Sequence, residues 1–285
     1  MAPVAIVTDT CHYLPRQLVA ARGIHEVSLY VHWDGREDRE ATLPDFDAYY
    51  RYLGRAGDLP TTSQPSIGDF LAVYEPLLDA GREIVSIHLA GGMSGTFGAA
   101  LQARDQLGER AERVHVLDSA SACGGEGLMV LAAHAAAARG TSAQDVVAHA
   151  RDARAALKMW FAIDTLEYLR RGGRIAAAQA WLGSALRIKP ILTVDSEITP
   201  IERVRTSGRA FERLIEYLAE RESAGADGWV VQHIQAPQEA ARLVERGRAI
   251  FGTDPVFVSE VGPVIGTHVG PGLLGVGAIP LRYLA

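Results

Sequence analysis

Val4-Ala5-Ile6-Val7-Thr8-Asp9-Thr10 decides how the chain is read. So short an apolar run suits a strand buried on both faces, and the polar residues that close it stand at its C-terminal end. In an open α/β sheet that end is where ligands bind. The pattern returns twice. Ile84-Val85-Ser86-Ile87-His88-Leu89 runs into the turn Gly91-Gly92-Met93-Ser94-Gly95-Thr96, and Val114-His115-Val116-Leu117 ends in Asp118-Ser119. Helical patterns fall between these strands: a short one opened by Pro15, then 44–56, 67–80 and about 96–107. Strands alternating with helices predict a parallel sheet, with Asp9-Thr10, Ser94 and Asp118-Ser119 along one edge of it. Residues 27–33 alternate as well and read as a strand closed by the Asp34-Gly35 turn.

A small-residue helix over about 124–139 and a second over 142–157 lead out of this region, the second as a bridge. Beyond it the order changes. Phe161-Ala162-Ile163-Asp164 leads into Leu166-Glu167-Tyr168-Leu169-Arg170-Arg171, a helix stopped by Gly172-Gly173. Residues 188–194 and 198–204 flank Asp195-Ser196-Glu197 as a hairpin, and helices over about 210–223 and 237–251 interleave with strands near Val230 and Val256. The expected fold is α/β in two domains: a parallel-sheet domain over 1–157 and a mixed α+β domain over 158–285.

The 285 residues are 48% hydrophobic and 22% charged, as in a soluble globular protein with a sizeable core. A net charge of −6 argues against a general nucleic-acid or anionic-membrane surface. Lys158 and Lys189 are the only lysines, so arginine supplies nearly all the positive charge. Cys11 and Cys123 have neither metal nor redox spacing. No basic leader precedes a long apolar run, and nothing approaches the roughly 18 apolar residues of a membrane helix, so the cytoplasm is the expected compartment.

Two polar turns carry the chemistry. Pro60-Thr61-Thr62-Ser63-Gln64-Pro65-Ser66 is stiffened by proline at both ends and precedes a helix, with Ser66 as N-cap and Asp69 as its capping-box partner. Unpaired N–H groups at a helix start, beside hydroxyls, suit an anion. The turn at 91–96 follows the same plan, so the two can converge on one small anionic group. Gly92-Met93-Ser94-Gly95-Thr96 also approaches a nucleophile elbow. The order Ser94, then Asp118 or Asp164, then His268 suits a serine hydrolase, although Thr96 replaces the second glycine of that pattern. Other residues keep two readings each. His268 is either a core histidine satisfied by backbone or a ligand donor among Gly266, Gly270 and Gly272. Asp9 and Asp118 are orienters, or turn and cap residues. Ala176, Ala177, Ala178, Gly183 and Ala185 leave room for a ligand or pack helices closely. Arg170, Arg171 and Arg174 form a solvated face or a docking patch.

Taken in order, Thr8-Asp9-Thr10…Leu14-Pro15, Thr62-Ser63-Gln64-Pro65-Ser66, Ser94-Gly95-Thr96, Asp118-Ser119, Leu166–Ile175, Lys189-Pro190-Ile191-Leu192 and His268-Val269-Gly270-Pro271-Gly272 form a specific set. On these motifs the chain resembles the DegV family of bacterial fatty-acid-binding proteins over nearly its whole length. The resemblance implies two α/β domains with a fatty acid held between them. It implies a carrier, not an enzyme, that presents the acyl carboxylate to a separate fatty acid kinase for acyl-phosphate formation in lipid synthesis. Carried over by motif, Thr62 and Ser94 would hold the carboxylate, with Ser63, Gly95 and Thr96 around them and His268 close by. Arg170, Arg171, Arg174 and, more weakly, Arg205 would dock the kinase. No cofactor or metal is expected, and the chain has no G-x-x-x-x-G-K-[ST] phosphate loop. Three departures stand out: Thr10 for the family's usual Ser, Tyr13 for its common Asp, and Ala90-Gly91-Gly92 for a more Ser-rich approach to the second turn.

Overall fold

The computed structural model describes residues 2–57, 59–184 and 188–285. Strand Val4–Asp9 (β1) is buried over Ala5–Asp9 and has both edges paired, the environment its apolar run calls for. His25–Val27 (β2) lies parallel to it on one side. The expected single strand over 27–33 is instead two. Tyr30–Trp33 (β3) leaves that sheet and pairs antiparallel with Arg36–Arg39 (β4) and Thr61–Ser63 (β5). At the break Leu29 N–H donates to Thr10 Oγ1 and Ser28 Oγ donates to the Leu29 carbonyl, so hydroxyl bonds replace the ladder. The alternation of the side chains runs on across this switch, which is why the pattern hid it. Part of the polar stretch read as a loop is thus an edge strand, with Pro60 just before its start.

Glu83–His88 (β6) and Val114–Asp118 (β7) complete the parallel sheet, in the order β2-β1-β6-β7. Their register sets His88 beside Asp118, so the polar strand ends do share one edge. The second half forms a six-stranded mixed sheet from Lys158–Ala162 (β8), Lys189–Asp195 (β9), Glu197–Val204 (β10), Gly228–His233 (β11), Phe257–Glu260 (β12) and Leu274–Ile279 (β13). Its order is β10-β9-β8-β13-β11-β12, and only β11 and β12 run parallel. The predicted hairpin turns at Ser196, which takes the left-handed φ of 62° that a tight turn demands. Strand β13 was not anticipated: Gly275 and Gly277 dilute its β-branched signal, and a Cβ on Gly277 would stand 2.6 Å from Met159 Cγ.

Helix Gly124–Ala138 joins the halves. It packs on β1 and β6 from one sheet and on β8, β11 and β13 from the other, and its small residues allow burial on nearly every side. One core cluster accordingly mixes Ile6 and Val85 with Val230 and Ile279.

Candidate functional site

The two polar turns meet, held by different means. In the first, Ser66 Oγ accepts from Asp69 N–H at 3.1 Å and Asp69 accepts from Ser66 N–H at 2.9 Å, the predicted capping box. Asp69 also accepts from the Tyr30 hydroxyl and from Arg39. Burial pushes its carboxyl up, but the bonds from Ser66, Tyr30 and Arg39 outweigh this and hold it below the ordinary value. The start of helix Ile67–Asp79 is thereby occupied by its own carboxylate, so the hydroxyls of β5 face the cavity without help from that helix end. In the second turn, Ser94 Oγ accepts from Thr96 N–H at 3.3 Å and lies 2.9 Å from Thr96 Oγ1. A Cβ on Gly95 would fall 2.0 Å from Gln64 Oε1, so the glycine lets the Gln64 amide lie directly against the second turn.

Between them lies a cavity of about 350 Å3 lined by Thr62, Ser63, Gln64, Met93, Ser94, Gly95, Arg174 and His268, among others. Thr96 is fully buried beneath Ser94 and supports it. Ser63 Oγ is 3.0 Å from His32 Nε2. His268 arrives from the second half on helix Pro263–Val269, which was not foreseen, and its Nε2 is 2.9 Å from Thr62 Oγ1. Burial, aided by the Arg174 charge, pulls the imidazole down to about 4, so it is neutral at pH 7. Its Nδ1 is buried without a hydrogen-bond partner among the described residues, and a Cβ on Gly172 would stand 2.4 Å from it. An orphaned lone pair costs less than an orphaned N–H, which puts the proton on Nε2. Nε2–H then donates to Thr62, and the Thr62 hydroxyl is left to donate into the cavity.

Helix Pro263–Val269 is fastened to the first half by Tyr13, one of the departures from the family pattern, and by Glu40 and Tyr50, which no motif singled out. Glu40 Oε1 accepts from the Tyr13 hydroxyl at 2.9 Å and from Val264 N–H at 2.8 Å, and the Tyr50 hydroxyl donates to the Val261 carbonyl. Burial raises the Glu40 carboxyl to about 7, against the pull of those bonds. Nothing in the polar stretch around Glu40 marks it as buried. Asp9 and Asp118 resolve as turn and cap residues. Asp9, fully buried, accepts from Cys11 N–H, Leu89 N–H and His88 Nδ1, and Asp118 accepts from Gly91 and Ala120 N–H.

The arginines have separate surroundings. Arg170 is exposed and doubly paired with Glu167, Arg171 donates to the Gly57 carbonyl, and Arg174 lines the cavity while donating to the Gly172 carbonyl. Arg205 is exposed just past β10. The hydrolase relay is not assembled: Ser94 bonds to Thr96, His268 to Thr62, and Asp164 to Lys189 Nζ at 2.5 Å.

A second cavity, of about 40 Å3 and almost wholly apolar, adjoins the first. It shares Met93, Ile198, Ile265 and Val269 with the polar one and adds Cys123, Met159, Phe161, Val194 and Leu273. These residues come from five separated segments, so no local motif could announce them. Of the small residues weighed from sequence, Ala178 is buried in the central cluster, within the 3-10 segment Ala176–Ser184, and Ala185 lies outside the described residues. Among the described residues no helix is long and apolar enough to cross a membrane, and no group of His, Cys, Asp and Glu could hold a metal ion.

Comparison with known proteins returns one family. A family model described as "Uncharacterised protein, DegV family" matches residues 3–281. A DegV domain-containing protein of Streptomyces coelicolor is 40% identical over 276 residues, covering 96% of this chain and 97% of the relative. Among solved structures, DegV of Bacillus subtilis, described as a fatty acid binding protein, superposes with a TM-score of 0.88 at 34% identity, over 98% of this chain and 100% of its own. A Thermus thermophilus protein described for its fatty acid binding gives 0.87 at 32% identity, over 98% and 100%.

Proposed function

This chain belongs to the DegV family, and from that premise we propose that it binds a long-chain fatty acid between its two halves, 1–157 and 158–285. The observation that carries the reading is that a hydroxyl-lined cavity adjoins an apolar one, with four lining residues in common. Only an amphiphile with one small polar end uses both. Each buried methylene contributes about 0.8 kcal/mol, so a long tail gains on the order of 10 kcal/mol gross, much of it offset by lost freedom. Hydroxyl donors to a carboxylate contribute about 1.5–3 kcal/mol each. The tail supplies affinity and the head group supplies position.

Thr62 and Ser94 are the proposed carboxylate donors. His268 orients Thr62, Thr96 orients Ser94, and Arg174 at the cavity edge adds attraction. A carboxylate held there is open to a separate kinase in the cytoplasm, which would make the acyl phosphate, with the arginines at 170, 171, 174 and 205 as the face it meets. Native mass spectrometry of protein purified without added lipid should show an adduct of fatty-acid mass that denaturing extraction releases intact. A protein that stays empty after incubation with a panel of fatty acids contradicts the reading.

A further inference from the structure

Strands β8 and β9 are paired only where Phe161 faces Leu192 and Ala162 faces Ile191. On its other edge β8 is paired with β13 from Lys158 through Ala162. The start of β8 therefore has one open edge, where Thr193 Oγ1 donates to the Met159 carbonyl at 2.6 Å in place of a ladder bond. The split between the strands holds an outer cavity of about 210 Å3 with Arg154, Lys158, Trp160 and Tyr217 among its walls. Ser121, Met159 and Val194 line this outer cavity and the apolar inner one alike. Those three residues stand between the two cavities.

Of these three, Met159 is the residue able to move. Val194 is β-branched and fixed in the β9–β10 ladder opposite Ile198. Ser121 is held through its carbonyl, which accepts from Ala90 N–H and Ser119 Oγ. Met159 is unbranched and flexible, and it lies in a slot that glycines make for it. A Cβ on Gly277 would stand 2.6 Å from its Cγ, one on Gly124 3.2 Å from its Cε and one on Gly125 3.3 Å from its Sδ. We infer that Met159 closes the far end of the acyl pocket and sets the longest chain that fits, an inference that rests on the fatty-acid reading above. An acid whose tail ends at the thioether fills the pocket. A longer one must push Met159 toward the split.

The test is a series of affinities for saturated acids of increasing length, in the parent, Met159→Ala and Met159→Phe. In the parent, affinity should rise with length and then fall past a cut-off. Met159→Ala removes Cγ, Sδ and Cε, so its cut-off should move to longer acids by about three methylenes. At about fourfold per methylene, the first acids excluded by the parent should gain about 15- to 60-fold. Met159→Phe should move the cut-off the other way, which keeps the test open if the alanine variant folds poorly. Thr62→Val should weaken every length alike and leave the cut-off in place. An unchanged cut-off in Met159 variants that still bind acids overturns the inference. A parent that binds no acid of any length overturns the fatty-acid reading, and this inference with it.

Discussion

The two cavities that meet at Ile198 are built on opposite principles. The polar one is made of short hydroxyl side chains, each fixed by a second residue: Thr62 by His268, Ser94 by Thr96, Ser63 by His32. The apolar one is made of branched, aromatic and thioether side chains from separate strands and helices, with hardly a polar contact among them. The first can hold an atom in place, because hydrogen bonds are directional. The second can only hold area, because apolar burial is not. A ligand that spans both takes its position from one and its affinity from the other.

The sharpest way to break this division is to put a charge at the junction. Ile198 is 2% exposed and lines both cavities. Ile198→Asp would place an unpaired carboxylate against the tail, and we expect it to lower acid affinity by more than about 3 kcal/mol. Displacement titration measures this, with the parent's unfolding curve as the control for folding. A variant that folds and still binds like the parent would mean the tail does not pass Ile198.

The next effect separates the two regions by pH. Glu40, which ties the His268 helix to the first half, has its carboxyl raised from 4.5 to about 7 in the folded chain. The folded state therefore holds that proton over a range where the unfolded state has lost it. Its stabilisation is full below about pH 4.5 and is lost as pH rises through about 7, an amount of the order of 3 kcal/mol. Glu40→Gln keeps the two acceptor contacts and has no proton to lose. The unfolding free energy of the parent minus that of the variant should fall by this amount between pH 4 and pH 8, as read from denaturant titrations. A flat difference, or one that rises, would mean Glu40 is charged where it stands.

Smaller changes test the head group alone. Thr62→Val and Ser94→Ala should each weaken carboxylate binding by about 1–3 kcal/mol while leaving the dependence on tail length intact. Calorimetry across several acids would show whether the loss is uniform, and a loss that grows with tail length would sink the division. The least effect is expected at the rim. Arg174→Gln should weaken binding by up to about 1 kcal/mol, since it lines the polar cavity, whereas Arg170→Gln, already paired with Glu167, should leave affinity unchanged. In an assay with a cognate kinase, Arg170→Gln should still slow acyl-phosphate formation, because rim charge acts mainly on association rate.

The same division explains what the sequence made legible. The alternation of strands and helices in the first half, the Ser66–Asp69 box, the Gly172 stop and the hairpin at Ser196 are local, and local chemistry writes them in consecutive residues. Thr62, Ser63, Ser94 and His268 stand in short motifs, so they were readable as candidates, and they line one cavity. The break between β2 and β3 was not readable, because the alternation of side chains continues across it. Neither was Glu40, whose burial depends on a helix more than two hundred residues away, nor the apolar walls, which come together only when the two sheets close on helix Gly124–Ala138.

The central claim is that one end of an acid is held by Thr62 and Ser94 and the other lies past Ile198. A crystal structure of the protein with a bound fatty acid tests it directly. The carboxylate oxygens should lie within about 2.5–3.2 Å of Thr62 Oγ1 and Ser94 Oγ, with His268 Nε2 still bonded to Thr62 and the last carbons against Met159. A carboxylate found at the Met159 end, or an acid bound outside both cavities, would contradict the account.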